Sequence, residues 1–312
     1  MKPEPLPDAA SLAGELVTLR DFLRYATSSF RAHDLVFGHG TTDALDEAAF
    51  MVLEGLSLPI DRLEPFLDAR LMPHERKRLA ELIVARITTR KPASYLLNKA
   101  YVGGVSFYVD ERVIVPRSFI GELLRSDLLS GVDGHQLIEA ESITSALDLC
   151  TGSGCLAILM AQHFPHAMIE AVDLSPDALD VARINLAASG LEDRIGLIEG
   201  DLFGPLTGHT YDLIITNPPY VSAQVMAALP PEYAHEPQMA LGSGEDGLDI
   251  TRRILKDAAK HLNEGGGLIC EIGEDREILE AEFPHLPFLW LDTAESSGEV
   301  FWLSADDLGS QA

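Results

Sequence analysis

Apolar residues recur at helical spacing through the first part of the chain and in short strand-like runs through the rest. Leu45, Ala48, Ala49, Val52, Leu53 and Leu56 fall at i, i+3, i+4, i+7, i+8 and i+11, one face of an amphipathic helix. Leu12, Leu16, Leu19, Leu23, Ala26 and Phe30 repeat that pattern. Pro73 opens a further helix with Leu79, Leu82, Ile83, Arg86 and Ile87 along one side. A helical bundle is predicted over residues 1–92, with its outer face available to dock a substrate. Between 93 and 120 the pattern changes. Tyr101-Val102-Gly103-Gly104-Val105, Phe107-Tyr108-Val109 and Arg112-Val113-Ile114-Val115 alternate around Asp110-Glu111, which predicts a β-hairpin linker. Pro116-Arg117-Ser118 ends it and begins a helix through Leu124.

From 121 to 312 an α/β domain is predicted. Strand, helix, strand, helix and strand follow one another from Ser145, and the strand Tyr211–Thr216 comes next. After an insertion over 221–247 come a helix Leu248–Leu262, a strand Leu268–Ile272 and two late strands, Phe288–Leu291 and Val300–Leu303. Alternating β and α elements with buried strands argue for a parallel sheet covered by helices on both faces, a Rossmann-like architecture. The closing pair, joined by Ser296-Ser297-Gly298, reads as an antiparallel hairpin.

Two loops at strand ends carry chemistry. The strand Ser145–Cys150 runs into Thr151-Gly152-Ser153-Gly154-Cys155, where glycines let the backbone approach a ligand closely. A second strand, Met168–Asp173, ends in a carboxylate 19 residues past Gly154, which suits a ribose diol because a carboxylate accepts from both hydroxyls. Gly152 to Ala157 formally satisfies G-x-G-x-x-G/A, so a nicotinamide dehydrogenase is a rival reading.

The second loop is Asn217-Pro218-Pro219-Tyr220, directly after the apolar run 213–216. Asn and Pro readily make a strand-ending turn, but ligands of open α/β sheets bind outside the carboxyl ends of the strands. The tetrad suits methylation of a planar NH2 group whose lone pair is delocalised. The Asn217 side-chain oxygen and the Pro218 carbonyl would accept the two N–H hydrogens and aim the lone pair. Pro218 and Pro219 fix φ and remove backbone donors, and Tyr220 offers a flat face for the planar group. The insertion that follows should wall the substrate pocket. Within it Glu236 either binds the substrate backbone or pairs with Arg117.

Charge narrows the partners. Lys and Arg number 23 against 49 Asp and Glu, a formal net charge of −26. Residues 1–100 hold 13 basic and 14 acidic groups, so residues 101–312 hold 10 and 35 and carry −25. Such a surface repels phosphate backbones and speeds association with a basic protein, although acidity also serves solubility. DNA is not an expected partner. The first thirty residues lack a long apolar core, and no stretch approaches the roughly eighteen apolar residues of a membrane span. Cys150, Cys155 and Cys270 are few and odd in number, and read as small buried hydrophobes in a reducing compartment. A cytoplasmic protein without a membrane anchor is expected.

Asp148 with Gly152 and Gly154, in the pattern Asp-x-x-x-Gly-x-Gly, resembles the first motif of the class I S-adenosylmethionine-dependent methyltransferases. A third strand, Ile195–Gly200, ends at Asp201-Leu202-Phe203. In that family this place holds the adenine, with Asp201 near the exocyclic amine and Leu202 and Phe203 along the ring. Across its whole length the chain resembles the protein glutamine N5-methyltransferases, which modify translation factors and ribosomal proteins. Its NPPY tetrad is shared with adenine-N6 DNA methyltransferases. Val115-Pro116-Arg117-Ser118, the stretch from Asp148 to Cys155 and His235-Glu236-Pro237 with Thr251 to Leu255 are similar to the branch acting on large-subunit ribosomal protein L-three. Ser296 to Trp302 departs from the Gly-Gly-Asp-Gly-Val-Phe of most relatives. The resemblance implies N5-methylation of a glutamine in that basic ribosomal protein. S-adenosyl-L-methionine would be seated by Asp148, Thr151, Gly152, Ser153, Gly154, Asp173, Asp201, Leu202 and Asn217. Asn217, Pro218, Pro219, Tyr220, Glu236 and Arg117 would meet the substrate, with Asn217, Pro218 and Tyr220 performing the chemistry and no metal required. A release-factor methyltransferase is the nearest competitor and a DNA adenine methyltransferase the next.

Overall fold

The computed structural model describes residues 6–126, 137–293 and 296–309. The chain divides into two compact units, one of residues 1–100 with 230–235 and one of 101–229 with 236–312.

The first unit is helical: Ala9–Glu15, Leu19–Ala32, Ala44–Gly55, Pro73–Thr89 and Ala93–Leu97. Residues 93–97 are therefore helix and not the start of a hairpin. The Leu12–Phe30 stripe is two helices, because Thr18 starts a new one. Its hydroxyl accepts from Asp21 N at 3.2 Å, while the Asp21 carboxylate accepts from Thr18 N at 2.8 Å and Val17 N at 3.1 Å. Phe22, Ala26 and Phe30 are buried, whereas Leu23 is half-buried. Leu45 is 53% exposed, and Phe50 and Met51 take the interior instead. That helix is apolar around most of its circumference, so periodicity alone does not select its inward face.

Arg86 is fully buried. Its Nε donates to Glu47 at 2.7 Å and its Nη2 to the Val36 carbonyl at 2.9 Å. Glu232, from the segment 230–235, is also fully buried; it pairs with Arg90 Nη2 at 2.7 Å and accepts from Val36 N at 3.0 Å. Burial pushes the Glu47 carboxyl up, with Arg86 opposing.

The hairpin comprises β1 (Ala100–Val102) and β2 (Val105–Phe107) alone. Arg112–Val115 is not a strand, because Asp110 closes a turn there: its carbonyl accepts from Val113 N at 3.1 Å and its carboxylate from Arg112 N at 3.1 Å. The helix expected from Pro116 runs only over Ile120–Leu123.

Seven strands form the sheet of the second unit: β3 (Ser145–Leu149), β4 (Met168–Asp173), β5 (Ile195–Glu199), β6 (Tyr211–Thr216), β7 (Leu262–Glu271), β8 (Leu289–Leu291) and β9 (Val300–Ser304). Their order is β5-β4-β3-β6-β7-β9-β8. The first five are parallel, and β9 lies antiparallel between β7 and β8. Buried apolar side chains cover both sheet faces, as parallel strands require. The helix expected over 248–262 is Asp249–Ala258, and β7 starts six residues earlier than its apolar run. Glycines hide that start. Gly265 has φ +78°, and a Cβ on Gly266 would lie 2.8 Å from the Asp212 carbonyl, beside the register shift between Tyr211 and Leu213. Among the described residues no helix is long and apolar enough to cross a membrane.

Candidate active site

The carboxyl ends of β3, β4, β5 and β6 open onto one cavity in the second unit. Gly152, Asp173, Asp201, Leu202, Asn217 and Pro219 line it. The first strand end is a tight loop: Cys150, Gly152 and Gly154 take φ of +59°, +55° and +78°. A Cβ on Gly154 would meet Ala182 at 3.2 Å, whereas one on Gly152 would project into open space, where a ligand can lie against bare backbone.

Asp148 is fully buried and does not line the cavity. Its Oδ2 accepts from Thr151 Oγ1 at 2.5 Å and Ala157 N at 3.0 Å, which fixes the loop to the helix Cys155–His163. Its Oδ1 has no partner among the described residues. Burial pushes its carboxyl up to about 7. Thr151 and Ser153 are likewise buried loop residues. Asp173 does reach the cavity. Its two oxygens accept from Gly152 N and Ser175 N, each at 2.8 Å, and burial pushes its carboxyl up. A carboxylate has about four acceptor sites, so two remain.

Asp201 lines the cavity as one partner of an exposed ion pair, 2.8 Å from Arg253. Leu202 lines it with φ +50°, while Phe203 turns into the core and stacks on His261 at 4.5 Å. The other described non-glycine residues with positive φ, namely Asp34, Ser57, Arg90 and Asn98, follow helix ends. Cys150 and Leu202 do not, and both line the cavity. Non-glycine residues with positive φ thus stand at two strand ends that face one pocket, the kind of strain that gathers at functional sites.

The side chain of Asn217 lines the cavity and makes no hydrogen bond to a described residue. The strand behind it is held: Thr216 Oγ1 donates to the Leu149 carbonyl at 2.9 Å. Pro218 is buried, and Pro219 reaches the cavity. Tyr220 is not among the lining residues; its ring packs on Gly273, where a Cβ would come within 3.1 Å. Its hydroxyl lies 3.5 Å from Glu271. Burial pushes that phenol well up.

Arg117 and Glu236 form a two-pronged ion pair at 2.7 and 2.8 Å, and Glu236 also accepts from Val115 N at 3.0 Å. Of the two roles open to Glu236, the pairing with Arg117 is the one present here.

Glu271 is a residue that sequence reasoning missed. It ends β7 fully buried and accepts from Ser118 Oγ at 2.6 Å and Phe119 N at 3.0 Å. Burial pushes it up to about 7, against those donors. An acid inside the apolar run Leu268-Ile269-Cys270-Glu271-Ile272 was the available signal. Between 4.5 and about 7 the folded chain holds a proton that the unfolded chain has released, so this group's stabilising contribution is lost as pH rises through that window. Glu271→Gln should remove the effect. From pH 5 to 8 the wild type is expected to lose about 3 kcal/mol more than the variant in urea titrations. Parallel curves would refute the assignment.

The family model for the methyltransferase small domain matches residues 135–230. Named ribosomal protein uL3 glutamine methyltransferases are similar over nearly the full length. One from Bradyrhizobium diazoefficiens is 57% identical, covering 95% of this chain and 93% of its own. One from Neisseria gonorrhoeae is 54% identical, covering 95% and 97%. The crystal structure of a methyltransferase from Pyrococcus furiosus aligns with 71% of this chain and 92% of its own, at 15% identity and a TM-score of 0.44. On identity and coverage, this chain belongs to the family of ribosomal protein uL3 glutamine methyltransferases.

Proposed function

We propose that the protein transfers a methyl group from S-adenosylmethionine to the side-chain nitrogen, N5, of a glutamine in ribosomal protein uL3. The observation that carries the chemistry is an unpartnered Asn217 carboxamide on a stiff Pro-Pro turn, facing a cavity shared with Asp173 and the glycine loop. The names of relatives at 51–57% identity support the substrate. The acidity of residues 101–312 suits a basic protein and disfavours DNA.

The residues present fit the cofactor. Gly152 offers bare backbone, Asp173 keeps two acceptor sites for a ribose diol, and Asp148 keeps a buried, unpartnered oxygen beside the loop. When bound, S-adenosylmethionine supplies an electrophilic methyl carbon on a sulfonium that leaves as a thioether. The protein's part is orientation. Asn217 Oδ1 and the Pro218 carbonyl accept the two amide hydrogens, which aligns the nitrogen lone pair and favours its pyramidal form. Tyr220, braced by Gly273 and directed to Glu271, holds the turn rather than the substrate. The nitrogen gains a carbon and releases one proton.

Asp173→Ala should weaken binding of S-adenosylhomocysteine about a hundredfold, because two hydrogen bonds to an ionised group are worth about 1.5–3 kcal/mol each. Unchanged affinity in a calorimeter would remove the ribose role. The function itself is tested by offering labelled methyl donor with purified uL3, a release factor and duplex DNA in parallel. Label on one glutamine of uL3 is expected, whereas label confined to the release factor or to adenine would replace the proposal with that competitor.

A further inference from the structure

We propose that Arg112, clamped by Asp110, is the receptor for the α-carboxylate at the amino-acid end of the cofactor. The inference rests on S-adenosylmethionine being the cofactor, and adds a contact that neither the glycine loop nor NPPY supplies.

The charge inventory of the cavity carries the argument. Among the described residues that line it, the charged side chains are Asp173, Asp201 and Arg112. The cofactor has two cationic centres, the sulfonium and the ammonium, and one anionic group. The acids complement the cationic centres or the hydroxyls, and Arg112 is the one lining residue whose charge complements a carboxylate.

Its geometry is that of a presented fork. Arg112 Nε donates to Asp110 Oδ1 at 2.9 Å and Nη2 to Asp110 Oδ2 at 2.7 Å. The hydrogen bonds of the guanidinium to Asp110 use Nε and Nη2 and not Nη1, and the Tyr108 hydroxyl lies beside it. Asp110 is not itself a lining residue. A guanidinium held along one edge leaves the other edge to bind a carboxylate, and less side-chain entropy remains to be lost when it does.

The clamp is tied to the glycine loop. Tyr108 OH donates to Asp110 Oδ2 at 2.9 Å. The Tyr108 backbone is gripped at both ends by Asn185, whose Oδ1 accepts from Tyr108 N at 2.7 Å and whose Nδ2 donates to Tyr108 O at 3.1 Å. The same Nδ2 donates to the Ser153 carbonyl at 2.8 Å, and Asn185 is buried. Ser153, Asn185, Tyr108, Asp110 and Arg112 therefore form a continuous brace from the loop to the guanidinium. Its neighbours Val113 and Ile114 also line the cavity. The Arg112 pair holds the Asp110 carboxyl down at about 2, so the clamp stays charged at any working pH. Arg112 is thus a binding residue, and Asp110, Tyr108 and Asn185 position it.

The test is calorimetry on the full chain with two ligands, S-adenosylhomocysteine and its decarboxylated analogue, which keeps the amine. The wild type should prefer the first at least tenfold. Arg112→Gln should reduce that preference to under twofold while leaving affinity for the decarboxylated ligand within twofold of wild type. Arg112→Lys should keep part of the preference. Should Arg112→Gln not fold, the wild-type ligand pair with Arg112→Lys and Asp110→Asn decides the matter, since both variants are expected to lower the preference. A wild type indifferent to the carboxylate, an Arg112→Gln variant that keeps the tenfold preference, or equal loss for both ligands would each overturn the inference. A wild type that binds neither ligand would overturn the cofactor reading itself.

Discussion

Asn217→Ala is expected to cut methyl transfer by a factor of about 10² to 10³ or more, the scale of losing one donor or acceptor aimed at the reacting group, while affinity for S-adenosylhomocysteine shifts less than threefold. An amide nitrogen attacks carbon only when its lone pair is withdrawn from the carbonyl, and Asn217 grips the N–H hydrogens so that this geometry is held before reaction. The backbone that carries this side chain follows a strand anchored by Thr216 to Leu149 and precedes two fixed φ angles. Truncation should therefore lower kcat rather than raise KM, since the lost interaction matters most as the C–N bond forms. Asn217→Gln, which keeps the chemistry but moves the oxygen by one methylene, should be nearly as damaging. Single-turnover transfer of labelled methyl reads both variants. A truncated enzyme that keeps most of its turnover would remove Asn217 from the chemistry, and a parallel collapse of cofactor affinity would reassign it to cofactor binding.

Arg117→Ala should destabilise the second unit by about 3 kcal/mol or more, the usual cost of stranding one member of a buried ion pair. Glu236 has a fully buried side chain, and Arg117 meets both of its oxygens. Removing the guanidinium leaves a carboxylate with Val115 N as a remaining donor. Both tryptophans, Trp290 and Trp302, lie in this unit's sheet, so urea unfolding followed by their fluorescence reports on it directly. Replacing both partners, Arg117→Met with Glu236→Leu, should restore most of the loss because no buried charge is left behind. If Arg117→Ala instead leaves the urea midpoint in place, the pair contributes nothing to the fold.

Much of this was legible in the chain. Alternating buried strands and helices gave the parallel sheet, and loops at the ends of β3, β4 and β6 identified Gly152, Asp173 and Asn217, all of which face one cavity. What escaped reading obeys long-range contacts. Asp148 stands out in its motif, yet its side chain does not line the cavity and one of its oxygens is engaged by Thr151 and Ala157. Phe203 follows Leu202 in sequence, but the positive φ at Leu202 reverses the chain, so that one residue faces the cavity and the next the core. Glu271, Asn185 and Arg253 act on partners 153, 32 and 52 residues away, and no local spacing announces such pairings. The start of β7 was hidden by glycines chosen for close approach rather than for strand propensity.

The helical unit borrows six residues, 230–235, from far along the chain, and with them the carboxylate that Arg90 and Val36 hold. Cutting the gene after position 100 would not liberate an intact module: the excised piece would lack Glu232, which with Glu47 makes up the acids within salt-bridge reach of its fully buried Arg86 among the described residues. Grafting such a module between relatives would require moving two stretches together, and substitutions in either stretch are free to vary only in step with the other.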